Sequence, residues 1–532
     1  MVSRDHGPGP VPPPQPEHRP VPGNPYAQPP SAPGPARAGR GRAFGIGAGA
    51  LALLLVGAGA FVLTQGDDDG SGSRKAAASE SPRTPRQSEK PEKSGRSDDK
   101  DRGDDKGRGD PGVVDVNAGR GPGDAEAWVA VNDIELPGKG AMLFDLWHAD
   151  GIVAQAEYDE VTGFSADDGT KKWSVRVPGE VCDTPVNASP DGKVAVLYTK
   201  SKAKQTGKCN QLQVIDLRTG EKGWHKQLVE HGLSDSTSMA HVAVSGSTVM
   251  VDQDSTAHAY RLRDGKRLYT TKMEREGACF LRGVAGGSGL LQVQSCAAGS
   301  ESTHGRLKRL DPRTGKVKWV YRSKKGWTID KVYSVDPAVV TLRNRESTDK
   351  WAVAAVGARG EQRSWIEFAD REKFEMCTGA GDSGEGVQNC PGGVVSGDTL
   401  YLAGSPKDGI LGPSRIAAFD LATGSRKWSA GANGRQLVPV AASGGDRGGV
   451  IVYARASLGK TGQTLRFGPG GGKPKVLLRH TAAAEEIESG MFAGITLYAE
   501  GRFYVSPTRL DGKAHGGKGE EGNGRLLSFG KP

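Results

Sequence analysis

Outside one apolar run, the 532-residue sequence lacks helical periodicity sustained over a dozen residues, which excludes a helical fold. It has no C-x-x-C pair, so neither zinc binding nor thiol exchange is favoured. Zinc-finger, homeodomain and RNA-recognition signatures are also missing. The formal net charge is +9, but Lys and Arg are scattered among Asp and Glu and form no basic stripe. Nucleic acid is therefore not an expected partner. The surplus charge is compatible with a general affinity for anionic cell-envelope polymers.

Long hydrophobic runs are equally scarce, and the one present is informative. Ala43 to Thr64 reads AFGIGAGALALLLVGAGAFVLT without a charged residue. As a helix it would cross about 30 Å of hydrocarbon. Arg37, Arg40 and Arg42 precede it, and Asp67, Asp68 and Asp69 follow. Flanking positive charge stays in the cytoplasm, so residues 1–42 are expected inside and everything after Thr64 outside. A cleaved signal peptide would have a shorter lead and a shorter apolar run.

The segments beside this span have no core-forming composition. Residues 1–42 contain VPPPQP, NPYAQPP and SAPGPA, which favour extended, polyproline-like chain. Residues 65–124 contain no aromatic residue and carry nearly balanced charge. Such a stretch cannot offset its ordering entropy, and as a tether it would reach roughly 40 Å. Folded structure is expected over 125–532.

A spaced unit recurs in that region. VIDLRTGEKGW, RLDPRTGKVKW and AFDLATGSRKW place Asp216, Asp311 and Asp420 four residues before Gly220, Gly315 and Gly424. Thr219, Thr314 and Thr423 precede those glycines, and Trp224, Trp319 and Trp428 follow them by four. FSADDGTKKW keeps the Gly169 to Trp173 spacing. Degenerate copies end at Tyr269, Trp365 and Val476. Apolar alternation before the Asp predicts a half-buried strand. Asp and Thr side chains suit a tight turn, and Gly provides its φ > 0 position. Trp then offers a flat apolar face to the neighbouring repeat. The interval of about 45–65 residues fits propeller blades rather than short solenoids.

The pattern A-x-D-x-x-T-G-x-x-x-W resembles the repeat of the pyrroloquinoline-quinone (PQQ) type β-propellers, over roughly Trp128 to Pro532. That family includes quinoprotein alcohol dehydrogenases, a propeller lipoprotein of bacterial outer-membrane assembly, and extracellular domains of some actinobacterial Ser/Thr kinases. With its apolar run, this chain resembles a membrane-anchored, actinobacterial-type member. The resemblance implies an all-β propeller of four-stranded blades, eight in number, with seven as the alternative. The eighth would run from about Ile487 to Phe529 and take Ala127 to Leu136 as its outer strand.

The enzymes of the family would require a vicinal Cys-Cys pair, a calcium-binding Glu/Asn/Asp set and a catalytic Asp. Vicinal cysteines are absent, and no carboxylate set stands apart from the repeat aspartates. No catalytic, cofactor-binding or metal residues are assigned, and no cofactor is expected. Gly381-Asp382-Ser383-Gly384 is similar to a serine-protease nucleophile loop, but turn chemistry accounts for it. His225 and His231, and His241 near Asp252 and Asp254, lack metal-ligand spacing. Six cysteines all follow the apolar run, which suggests disulfides in an oxidising space. Neighbour pairing of Cys182 with Cys209, Cys279 with Cys296 and Cys377 with Cys390 would close short loops within single repeats. Six buried free thiols are the alternative.

The expected function is that of a non-catalytic binding, sensor or scaffold module. It would be anchored by a single span, with a protein or cell-envelope ligand on a propeller face. A PQQ-dependent dehydrogenase with a degenerate site is the rival.

Overall fold

The computed structural model describes residues 114–532 apart from 203–206, 231–234, 239, 273, 275–277, 348–349, 369–373, 378–385, 389, 408, 410–411, 433, 443–448, 493 and 513–523. The apolar run Ala43 to Thr64 lies outside the described residues. Among those described, no helix is long and apolar enough to cross a membrane. The described residues all belong to one compact unit.

Blade 3 shows how the sequence makes a blade. His241–Ser245, Thr248–Gln253, Thr256–Arg261 and Arg267–Thr271 pair in that order as an antiparallel meander. Its turns fall where the sequence places S-G-S, D-S and D-G, and the alternating Val, Met and Ala residues are buried. Seven such meanders follow one another at 141–176, 181–227, 241–271, 279–322, 327–368, 393–430 and 437–479. First strands of neighbouring blades lie against one another at the junctions of blades 3–4, 5–6, 6–7, 7–8 and 8–1, as strands converging on an axis do.

The eighth blade is a composite. Ile495–Ala499, Arg502–Ser506 and Gly524–Gly530 supply three strands, and Glu126–Val131 pairs with Gly524–Gly530 as the outer fourth. Both ends of the folded chain thus share one sheet, and the ring has no open edge at its junction. The count is eight, with four strands per blade, plus a two-residue strand, Arg509–Leu510, added beside blade 1. Order reaches back into the stretch read as linker. Val116 is buried, and the Asn117 amide both donates to Ala127 O and accepts its N–H.

The repeated turn behaves as its chemistry predicts. Asp420 Oδ1 accepts the N–H groups of Ala422 and Thr423, and Gly424 N–H donates to Asp420 O. These backbone bonds hold the Asp420 carboxyl below its ordinary pKa. The Trp ring then crosses to the next blade. A Cβ on Gly220 (φ +73°) would lie 2.7 Å from the Trp173 ring, and one on Gly265 would lie 2.7 Å from Trp224. Trp224 Nε1 donates to Leu262 O at 2.6 Å, across the same seam.

Trp365 departs from this scheme. It follows Gly360 by five residues, so Ser364 occupies the place of the other tryptophans in the strand pairing. Trp365 therefore turns to the opposite face, edge-on to Trp327 at 5.1 Å, and packs in the seam between blades 4 and 5. At its expected seat, Gly424, the atoms nearest to an added Cβ belong to Ile366, Ser364 and the Trp365 carbonyl, none closer than 3.4 Å.

All six cysteines are paired as 182–209, 279–296 and 377–390. The first ties the inner strand of blade 2 to the segment just before its third strand, and the second joins two adjacent strands of blade 4. The third lies outside any blade, in the 369–392 connection between blades 5 and 6.

Candidate functional site

At one end of the ring axis, the innermost strands of blades 1, 2, 4 and 5 all break register. The breaks lie between Leu143 and Leu146, Val181 and Asp183, Leu281 and Gly283, and Ile329 and Val332. Such bulges release side chains from the ladder and re-aim them. Asp145, Asp183 and Lys331 all sit at these breaks. His241 opens the inner strand of blade 3 beside them.

These groups form one hydrogen-bonded cluster. His241 Nδ1 lies 3.2 Å from Asp183 Oδ1, and Asp183 Oδ2 accepts the Val242 N–H at 2.6 Å. Thr184 Oγ1 donates to Asp145 Oδ2 at 3.2 Å, and the His241 N–H donates to Asp252 Oδ1 at 3.1 Å. Burial raises the pKa of Asp145 to about 7, with the neighbouring Asp183 charge adding to the shift. Burial likewise raises Asp252 to about 7 and raises Asp183. Asp252 Oδ2 is buried without a hydrogen-bond partner.

Gly386, Val387 and Gln388, from the connection between blades 5 and 6, lie against this cluster. Gly386 N–H points to His241 Nε2 at 3.3 Å, and Gly386 O accepts from Lys331 Nζ at 3.0 Å. Gln388 Oε1 accepts the Gly286 N–H, and Gln388 Nε2 donates to Gly286 O. Val387 packs on Gly283, where a Cβ would meet it at 2.6 Å. Because a backbone N–H can only donate, His241 Nε2 is the acceptor here. The ring is then neutral, with its proton on Nδ1 facing Asp183.

The remaining cavity, lined by Asp145, Asp183, Thr184, His241, Val387 and Gln388 among others, is about 40 Å³. That is room for about three water molecules. A three-ring quinone does not fit beside Val387 and Gln388 as they stand. No group of three or more His, Cys, Asp or Glu able to hold a metal occurs among the described residues. The cluster can store protons and order water at the channel mouth.

None of the repeat residues lies in this cluster. Gly169, Trp173, Asp216, Thr219, Gly220, Trp224, Asp311, Thr314, Gly315, Trp319, Asp420, Thr423, Gly424 and Trp428 all belong to the third-to-fourth-strand turns and the outer strands. Sequence reasoning also missed Trp128, whose ring packs on Gly169 and whose Nε1 donates to Ala166 O at 3.0 Å. Asp145 and Asp183 carry no spacing signal. The long, cysteine-bearing connection after blade 5 was the visible hint. Gly381-Asp382-Ser383-Gly384 and His231 lie outside the described residues.

Residues 116–430 match the family described as outer membrane protein assembly factor BamB. Among solved structures, BamB from Moraxella catarrhalis is 14% identical, covering 76% of this chain and 100% of that one, with a TM-score of 0.41. A quinohemoprotein alcohol dehydrogenase from Pseudomonas putida HK5 is 12% identical, covering 76% of this chain and 75% of that one, with a TM-score of 0.40. A europium-containing methanol dehydrogenase is 10% identical, covering 76% and 92%, with a TM-score of 0.42. No curated protein matches the chain. Identities at this level carry nothing about activity.

Proposed function

Because the chain belongs to the family of the outer membrane protein assembly factor BamB, we propose that its propeller is a non-catalytic module that binds protein on one of its faces. We further propose that it is an actinobacterial-type member anchored by the Ala43 to Thr64 span. Residues 1–42 would then be cytoplasmic, with 65–124 as tether and the ring outside the cell. The apolar run with arginines before it and aspartates after it supports the anchor, and three disulfides suit an oxidising space.

One observation carries the non-catalytic reading: the 386–388 segment is hydrogen-bonded across the channel mouth, leaving about 40 Å³ at the half-buried Asp145 and Asp183. An organic substrate together with a quinone needs several times that space. Recognition then falls to the loops and outer surfaces, where a rigid ring presents them.

The dehydrogenase reading keeps one observation in its favour. Asp145 and Asp252, with pKa values near 7, are poised as proton acceptors near neutral pH. The deciding experiment is cross-linking of the full chain in its native membrane, followed by identification of the captured proteins. It is paired with an assay of dye reduction after addition of PQQ and calcium. A reproducible protein partner with no dye reduction supports the binding module. Dye reduction that requires both additions overturns it. A C-terminal tag that resists external protease in intact cells overturns the anchored topology.

A further inference from the structure

A second cavity, away from the axis, has a lining unlike that of the channel mouth. It lies in the seam between blades 2 and 3 and measures about 330 Å³. Its walls are Lys226, Gln227 and Val229 from blade 2 and its following loop, and Gln253, His258, Tyr260 and Arg267 from blade 3. No carboxylate is among its described lining residues, and Asp235 Oδ1 lies 3.6 Å from His258 Nε2.

Three features of these residues point to a ligand. Neither the Lys226 ammonium nor the Arg267 guanidinium has a carboxylate partner among the described residues. Lys226 instead stands over the Tyr260 ring at 5.3 Å. Gln253 is fully buried at the cavity wall. Its Nε2 donates to Val229 O, while Oε1 has no hydrogen-bond partner. An orphaned buried acceptor of this kind costs about 1–3 kcal/mol unless a donor reaches it. The floor is preorganised: His258 Nδ1 is held by Thr270 Oγ1 at 3.0 Å, and Tyr260 is wedged against Trp224.

We propose that this seam binds a small anionic saccharide. The acidic group would sit between Lys226 and Arg267, and a sugar hydroxyl would donate to Gln253 Oε1. The chemistry follows from the lining. Two unpaired cations select negative charge. A bare acceptor selects a hydroxyl or N–H donor over a simple inorganic anion. A volume near the lower end of ligand pockets suits one or two sugar rings. A carboxylate and a phosphate both satisfy the cations, so the acidic group is either of the two. The proposal is independent of what the channel does.

The test is isothermal titration of the full chain in detergent with glucuronate, glucose 6-phosphate, glucose and acetate. Binding of at least one acidic sugar, with glucose and acetate silent, is the expected result. The arm that binds identifies the acidic group. Arg267→Gln and Lys226→Gln should each weaken that binding by roughly five-fold or more. Arg263→Gln, which alters a 75% exposed arginine outside the cavity, should leave it unchanged. Gln253→Met should weaken the acidic sugar without creating acetate binding. All four variants should keep the parental melting temperature within a few degrees. Silence from both acidic sugars, equal binding of glucose, or equal losses in Arg263→Gln and Arg267→Gln would overturn the assignment.

Discussion

Trp128, on the first strand of the folded chain, lies against Gly169 so closely that a Cβ there would be 2.5 Å from the indole. This contact joins the composite eighth blade to blade 1. It works beside the pairing of Glu126–Val131 with Gly524–Gly530, the buried Arg525–Glu157 ion pair, and the packing of Tyr504 and Leu526 with Val153 and Phe164.

Replacing Trp128 with Ala removes a ring that is 7% exposed together with its hydrogen bond to Ala166 O. The expected loss is about 3–5 kcal/mol. Urea unfolding of the full chain measures it. Because the junction is where both chain ends meet, the variant should also gain protease sensitivity around residues 114–131 before the rest of the ring is cut. Uniform cutting would show that closure is not the weakest point.

The displaced tryptophan of blade 5 gives a sharper comparison. Gly220 and Gly424 share nearly the same backbone, with φ of +73° and +76°. Ala at either position incurs the same left-handed strain of about 1 kcal/mol. Only at Gly220 would the new methyl also strike a ring, Trp173, at 2.7 Å. Gly220→Ala should therefore destabilise by about 1–3 kcal/mol more than Gly424→Ala. Equal losses in thermal melts would mean that Trp365 does reach Gly424 in solution.

These two contrasts also show what the sequence could reveal. The Asp, Gly and Trp of each rim turn act on neighbours within a few residues and one blade on, so fixed spacing betrays them. The five-residue interval from Gly360 to Trp365 was visible too, and it reverses the face that Trp365 presents. The channel mouth was hidden for the opposite reason. Asp145, Asp183 and His241 come from three different blades and Gly386 from the connection after blade 5, and they meet only once the ring is closed. Their placement depends on bulges that leave no periodic trace. The seam cavity was hidden as well, since Lys226 and Arg267 look like ordinary outer-strand residues.

Acidity should stabilise the channel mouth. Asp145 and Asp252 have folded pKa values of about 7, above the unfolded value near 4. A raised carboxyl contributes stability that is full below about pH 4 and is lost as the pH climbs through about 7. Asp145→Asn fixes one of them in an uncharged form. It should match the parent at pH 4 and exceed it by roughly 2–5 °C at pH 8. Differential scanning calorimetry at both values checks this, and a parent equal or superior at pH 8 would refute the burial of that carboxyl.

The Cys377–Cys390 bond bears on whether the channel mouth stays closed. Between its two cysteines lies Gly386, whose N–H engages His241 Nε2. The disulfide limits how far this segment can move from the axis, and its loss should free the imidazole more than it weakens the ring. In a Cys377→Ser, Cys390→Ser variant, acylation of His241 by diethylpyrocarbonate should speed up several-fold, because the reagent attacks an unengaged neutral nitrogen. His225, exposed on an outer strand with Gln211 as its partner, serves as the internal reference and should react at an unchanged rate. If His241 reacts no faster, the blade contacts of Val387 and Gln388 hold the segment without the covalent tie. If both histidines accelerate together, the variant has loosened the whole blade rather than the channel mouth.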